Sequence, residues 1–286
     1  MGVLFAFIAF VSWGLGDFLI QKSARKFGNQ IAVFYITAFA SLVLLPFVFR
    51  DITSIFFTLE SLPFLLFASV VVVFATLFDF EALRVGKLSV VEPVYALEVP
   101  IATMLAASFV HERLRVVQYA LIVAVLLGIM LVSARSKQSF RLRLEKGVVY
   151  AFIATVCMGT VNFLFGVGVR STGPLLINWF TSTFLAVIIG VSLLWQSRFG
   201  EVVNFWKRSK KLILGVSVFD NLAWIAFATS MLYIPIGVAT GISESYVALA
   251  AALGIVFNRE RLKHHQWLGF AICSVSAVAL ALVTDK

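Results

Sequence analysis

Long stretches of the chain, among them 30–49, 61–78, 116–134, 147–169 and 171–197, carry no charged residue at all. A helix needs about 20 residues, rising 1.5 Å each, to cross a hydrocarbon core of ~30 Å, and each stretch is close to that length. Inside hydrocarbon the backbone amides and carbonyls find no water, so only helices or closed barrels satisfy them. The stretches are continuously apolar and lack the period-2 alternation of a membrane barrel. Helices are therefore the expected element. Composition agrees: 61% of residues are apolar, 13% are charged and the mean hydropathy is +1.02, whereas a soluble domain is nearer half apolar and about a quarter charged.

Extended along the chain, the pattern predicts an all-α integral membrane bundle of ten transmembrane helices. They fall at roughly 3–21, 30–49, 62–84, 88–110, 116–134, 147–169, 174–196, 212–233, 236–257 and 265–283. Little is left over for a folded soluble domain. The absence of a G-x-x-x-x-G-K-[ST] phosphate loop removes an ATP-driven pump. Cys157 and Cys273, both in apolar stretches, provide neither a disulfide framework nor a zinc cluster. The first span has Lys22, Arg25 and Lys26 after it and no basic residue before it. That is the reverse of a cleaved signal peptide, so the span is expected to be retained.

With ten spans, both termini share a side with Arg50, Arg113, Arg115 and Arg170, and that side holds five basic residues including Lys286. The other side holds the remaining eighteen of the 23. The positive-inside rule then puts the eighteen-residue side in the cytoplasm and both termini outside, in a cell (plasma or inner) membrane. The net charge of +9 is thus a matter of topology. Nucleic acid is not an expected partner, because the basic residues are spread over short loops.

The chain also repeats itself. Residues 2–19 align without gaps on 147–164 with ten identities in 18, and Phe109, Glu112, Arg113, Leu114 and Gln118 recur 148 residues later as Phe257, Glu260, Arg261, Leu262 and Gln266. This divides the chain into a first five-helix repeat (1–134), a basic cytoplasmic linker (135–146) and a second repeat (147–286). Five spans is an odd number, so the second copy is expected to be inverted relative to the first. Inverted repeats are a transporter architecture with the substrate site near the midplane.

The five-plus-five arrangement, the Trp13-Gly14 pair, and the Glu-Arg-Leu after spans four and nine (112–114 and 260–262) resemble the drug/metabolite transporter superfamily, EamA type. The resemblance covers essentially the whole chain. It implies that spans 1, 3, 4, 6, 8 and 9 surround a central cavity, that 5 and 10 lie apart, and that small metabolites are exported by alternating access.

Asp17, Asp79, Glu81, Glu92, Glu98, Asp220 and Glu244 fall within the predicted spans. A charged group at mid-span costs at least ~2.5–3.5 kcal/mol, so such residues mostly face a polar interior. Glu98, Glu244 and Asp220 lie deep, whereas the other four are within a turn or two of the cytoplasmic ends. Glu81 and Arg84, spaced i, i+3, suit an ion pair, which leaves Asp79 as the better cavity candidate. Glu92 is expected at the start of span four, where the helix dipole favours negative charge. Glu244 aligns with Ala96, two residues from Glu98, making the two near-symmetric partners on the spans that the resemblance places centrally. A carboxyl group in low dielectric near a second carboxylate readily exchanges its charge for a proton. Glu98 and Glu244 are therefore expected to bind a proton or a cationic substrate. The bland alternative is buried acids hydrogen-bonded to Ser243, Ser245, Tyr95 or Tyr246.

Trp13 and Asp17 share one helix face at i, i+4, and Asp220 and Trp224 do the same in span eight. An indole beside a carboxylate suits an organic cation. In the second repeat Met158 replaces Trp13 and Asn162 replaces Asp17, a polar echo without the charge. Pro93 and Pro100 should kink span four; with Gly237 and Gly241 in span nine they are the expected hinges. Small-residue faces on spans five (Ala120, Ala124, Gly128) and ten (Gly269, Cys273, Ala277) suit packing of the two spans, or a homodimer. No cofactor or metal is indicated, and the expected partners are a small-molecule substrate and the lipid bilayer. The functional expectation is a secondary exporter of small metabolites or organic cations driven by proton antiport. A facilitator for neutral or zwitterionic solutes, with structural acids, is the alternative. The least favoured class is an intramembrane enzyme, which would need a nucleophile–base constellation or a metal cluster, or a lipid-binding accessory subunit.

Overall fold

α-Helices make up nearly all of the described chain. The computed structural model describes residues 1–58, 61–85, 94–133, 146–246, 249 and 263–284, and the side chains of all but 17, 18, 21, 25, 53–58, 80, 83–85, 133 and 146–148. Among the described residues no strand occurs. The helices are α1 (Gly2–Phe27), α2 (Asn29–Thr58), α3 (Leu62–Val85), α4 (Glu98–Phe109), α5 (Val116–Ser133), α6 (Lys146–Thr172), α7 (Pro174–Trp195), α8 (Phe199–Ser230), α9 (Ile236–Glu244) and α10 (His264–Thr284). Six of them contain stretches long and apolar enough to cross a membrane, namely 29–52, 62–79, 149–172, 174–195, 199–230 and 264–284, and residues 2–16, 98–109 and 116–132 form shorter apolar helices. Leu42, Phe47 and Trp195 project from the surface at 73%, 69% and 90% exposure. Such an apolar exterior is unfavourable in water and natural against lipid.

Only Gly28 separates α1 from α2, and only Gly173 separates α6 from α7. Their φ/ψ values, 83/155° and 80/159°, lie in a region that side chains with a Cβ rarely enter. A second shared device opens α5 and α10. The Gln118 side chain accepts a hydrogen bond from the Arg115 amide at 2.8 Å, and Gln266 accepts one from the Lys263 amide at 3.0 Å, each capping a helix start from within. The two glutamines are the pair that recurs in the sequence.

Packing repeats in the same way. Helix α1 lies on α8 as α6 does on α3; α4 lies on α6 as α9 does on α1; α2 pairs with α7, α4 with α9, and α5 with α10. Exchanging each helix for the one five places away maps these pairings onto each other. In the α5–α10 pair, a Cβ on Gly128 would sit 2.6 Å from the Cys273 amide nitrogen and one on Gly269 would sit 2.7 Å from that of Val132. The small-residue faces of spans five and ten therefore meet within one chain.

Spans four, eight and nine depart most from expectation, and α2 runs on to Thr58, nine residues past the expected end of span two. Span four is not one kinked helix over 88–110: α4 begins at Glu98 after a turn at Ala96–Leu97. Pro100, third in α4, has no N–H to return to the Ala96 carbonyl and its ring crowds that carbonyl, so the helix is broken there instead of bent. Span nine is interrupted where α9 ends at Glu244: a turn at Ser245 precedes helical Tyr246. Helix α8 starts at Phe199, well before the expected 212, and bends at Ser209 (φ −141°, ψ 28°), so Lys207 to Lys211, expected in a loop, are helical. Pro93, Glu92, residues 250–257, Glu260 to Leu262 and the linker up to residue 145 lie outside the described residues.

Candidate functional site

The breaks in spans four and nine are equivalent, since Ala96–Leu97 shifted by 148 is Glu244–Ser245. Broken helices leave backbone groups to be satisfied at membrane depth. The Val94 carbonyl accepts from the Leu97 amide at 3.0 Å and from the Thr155 hydroxyl of α6 at 3.3 Å. After the second break, the Ser245 hydroxyl donates to the Ile242 carbonyl at 2.5 Å.

Each break is flanked by a carboxylate. Glu98 is the first residue of α4 and Glu244 the last of α9. Glu92, expected to open span four, lies outside the described residues. The dipoles act in opposite senses, since that of α4 attracts negative charge at Glu98 while that of α9 repels it at Glu244. Both residues are half-buried. The buried Asn162 of α6 donates from Nδ2 to Glu98 Oε2 at 3.5 Å. Glu98 is also close enough to Glu244 and to Asp79 of α3 for their charges to act on it. Asp79 in turn meets Tyr95, whose hydroxyl donates to the Asp79 carbonyl at 3.4 Å and reaches its carboxyl group.

Beside this polar cluster lies an aromatic one. The Trp13 ring meets Trp224 edge-on, centroids 5.3 Å apart, and lies 5.2 Å from Phe227 and 6.0 Å from Tyr246. Phe165 of α6 is 5.1 Å from Trp224. Asn162 and Phe165, three residues apart on α6, join the two clusters. Tyr246 is the repeat equivalent of Glu98, so one copy places a carboxylate after the break and the other a phenol. Gly14 makes room here, since a Cβ on it would come 2.6 Å from Leu249.

The structure therefore gathers Glu98, Glu244, Asp79, Tyr95 and Asn162, and beside them Trp13, Trp224 and Tyr246, from spans 1, 3, 4, 6, 8 and 9. Asp220 sits one turn before Trp224, where α8 presses on α1 at Gly16. The Asp17 side chain lies outside the described residues. Glu81 lines a separate cavity between α3 and α7, and the Arg84 side chain expected to pair with it lies outside the description. Gly237 packs on Thr103 of α4, and Gly241 on Leu280 and Ile122. No cluster of three metal-ligating side chains occurs among the described residues.

Sequence reasoning gave Glu112 no role beyond the repeat. Here it joins three elements. His111, at φ 54°, turns the chain after α4. One Glu112 carboxylate oxygen then pairs with Arg170 near the end of α6, while Oε2 accepts the Ile236 amide at the start of α9 at 2.8 Å. Its recurrence as Glu260 in the second repeat was the available signal.

The EamA-like transporter family model matches residues 1–134 and again residues 145–282. A protein of known crystal structure is 15% identical, with a TM-score of 0.78 over 99% of this chain and 97% of that one, a likeness of fold. No curated protein matches the chain.

Proposed function

Because the chain belongs to the EamA-like transporter family, within the drug/metabolite transporter superfamily, we propose that it is a secondary-active exporter of small metabolites or organic cations, coupled to proton antiport at Glu98 and Glu244. The family consists of membrane transporters, not enzymes. The observation that carries the finer reading is the pair of equivalent breaks in spans four and nine, each flanked by a carboxylate and set beside the Trp13–Trp224–Tyr246 cluster. Broken helices at midplane expose dipole ends to a bound ion or substrate, and indoles beside carboxylates bind organic cations.

Ten spans in two inverted repeats, 1–134 and 147–286, complete the proposal, with the termini outside a plasma or inner membrane. Its support is the recurrence of the Gly28/Gly173 joints, the Gln118/Gln266 caps and the helix pairings. Alternating access needs contacts that form on one face and release on the other. Glu112, which ties α6 and α9 together beyond α4, fits such a contact on the face that carries the termini.

The test is proton movement in vesicles reconstituted with the purified protein. On this reading, an added organic cation drives proton flux across the membrane, and Glu98→Gln and Glu244→Gln abolish it at normal expression. Cation transport without proton flux, or an unchanged pH profile in both variants, removes the proton coupling and leaves an uncoupled or differently coupled facilitator with structural acids.

A further inference from the structure

A cavity of about 400 Å³ lies away from the carboxylate pair, between α3 and α7 beneath the α1–α2 turn. Its walls change character along their length. Leu185 and Ile189 lie one turn apart on one face of α7, opposite Leu77 of α3. Leu77 is 48% exposed, so this apolar part opens onto the lipid-facing surface. Further along come Glu81 of α3 and, from the turn between α7 and α8, Gln196 and Arg198, joined by Asn29 and Gln30 from the start of α2. From Leu185 to Gln196 the chain rises about 16 Å, roughly the hydrocarbon depth of one leaflet. A site that is apolar toward the midplane and polar at the membrane edge fits an amphiphile, not a water-soluble solute.

The polar end specifies the headgroup. Arg198 spends Nε and Nη2 on Glu201, each at 3.0 Å, and its second terminal nitrogen has no partner among the described residues. Guanidinium donors of this kind suit phosphate oxygens. Opposite in charge, the Glu81 carboxylate lines the same cavity. Gln30 Oε1 is buried with no hydrogen-bond partner among the described residues, an unfavourable state for an acceptor unless a donor arrives. A primary ammonium supplies three donors, enough for both Glu81 and Gln30. A trimethylammonium supplies none.

We propose that this cavity seats an ethanolamine-type phospholipid, its phosphate on Arg198, its ammonium between Glu81 and Gln30, and the head of one acyl chain along Leu77, Leu185 and Ile189. The site stands apart from the transport reading and requires only that the bundle be embedded in lipid.

The experiment is a thermal melt of the full-length protein in mild detergent, titrated with phosphatidylethanolamine, phosphatidylcholine and phosphatidylglycerol of identical chains, and with soluble glycerophosphoethanolamine. A ligand of the folded state raises the melting point. Phosphatidylethanolamine alone should do so at low concentration, and Arg198→Gln and Gln30→Leu should each weaken it about tenfold, the loss of one charge-assisted hydrogen bond. An equal response to all three lipids, an unchanged response in both variants, or soluble headgroup acting as well as the lipid would overturn the proposal. Should Gln30→Leu fail to fold, Arg198→Gln at the half-exposed rim decides alone. Because transport is not measured, the result is independent of whether Glu98 and Glu244 carry protons.

Discussion

Glu112 and Ile236, 124 residues apart in sequence, are joined by a 2.8 Å hydrogen bond from the backbone amide of one to the carboxylate of the other. A side chain from the turn after α4 thereby caps α9, whose own preceding residue is Pro235 and provides no side-chain acceptor. The same carboxylate holds Arg170, so one acid serves a helix N-terminus and an ion pair at once.

Removing it should loosen both. Glu112→Ala is expected to cost about 1–2 kcal/mol, the usual value of a lost cap, read as a lowered melting point in detergent. Glu112→Gln keeps an acceptor for Ile236 and should cost less. A double-mutant cycle with Arg170→Ala isolates the ion-pair part. Additive single effects would show that the pair adds nothing, in line with the 42% exposure of the Arg170 side chain.

The carboxylates beside the breaks answer to a different measurement. In proteoliposomes, Glu98→Gln should abolish substrate-driven proton flux and flatten the pH dependence of transport. Asn162→Ala removes the amide that donates to Glu98 and should shift that pH dependence while leaving flux measurable. An unaltered profile would assign Asn162 to packing alone.

At the aromatic cluster, Trp13→Ala and Trp224→Ala should each weaken binding of a quaternary ammonium probe about threefold to thirtyfold, the range of a cation–π contact. Phe substitutions should recover part of the loss. Tryptophan fluorescence quenching by the probe is the readout, and equal affinity in both alanine variants would remove the rings from the site.

Two backbone positions are predicted to be intolerant for a reason unrelated to space. Nothing lies within 4 Å of a Cβ on Gly173, yet its φ of 80° disfavours any side chain. Gly173→Ala should cost about 1–3 kcal/mol, and Gly28→Ala should cost a similar amount, seen as lowered thermal stability.

Much of the fold was legible because a bilayer allows a chain so few solutions. Uncharged runs lie within helices, although α2 runs nine residues past its expected end, and the carboxylates at 98 and 244 stand out through their depth. The breaks were less legible. Hydropathy continues smoothly past Ala96 and Ser245, and Pro100 reads as a kink until one sees that its ring meets the carbonyl at which α4 begins. Ser209 gives no local warning, so in the sequence the helical run before the bend in α8 reads as a loop. Glu112 acts through residues 58 and 124 positions away, a relation that helical spacing does not encode. Trp13 and Trp224 were each flagged beside an acid of their own helix, but their edge-on contact follows only from α1 lying on α8.

The joints at Gly28 and Gly173 bear on how such a molecule would change shape. A connection of one residue leaves no slack, so a tilt of α1 drags the near end of α2, and α6 likewise drags α7. Each couple works as a lever with a fixed elbow, and the two elbows belong to opposite halves of the chain. Motion at the core would therefore reach the outer helices directly, carrying the cavity between α3 and α7 with it.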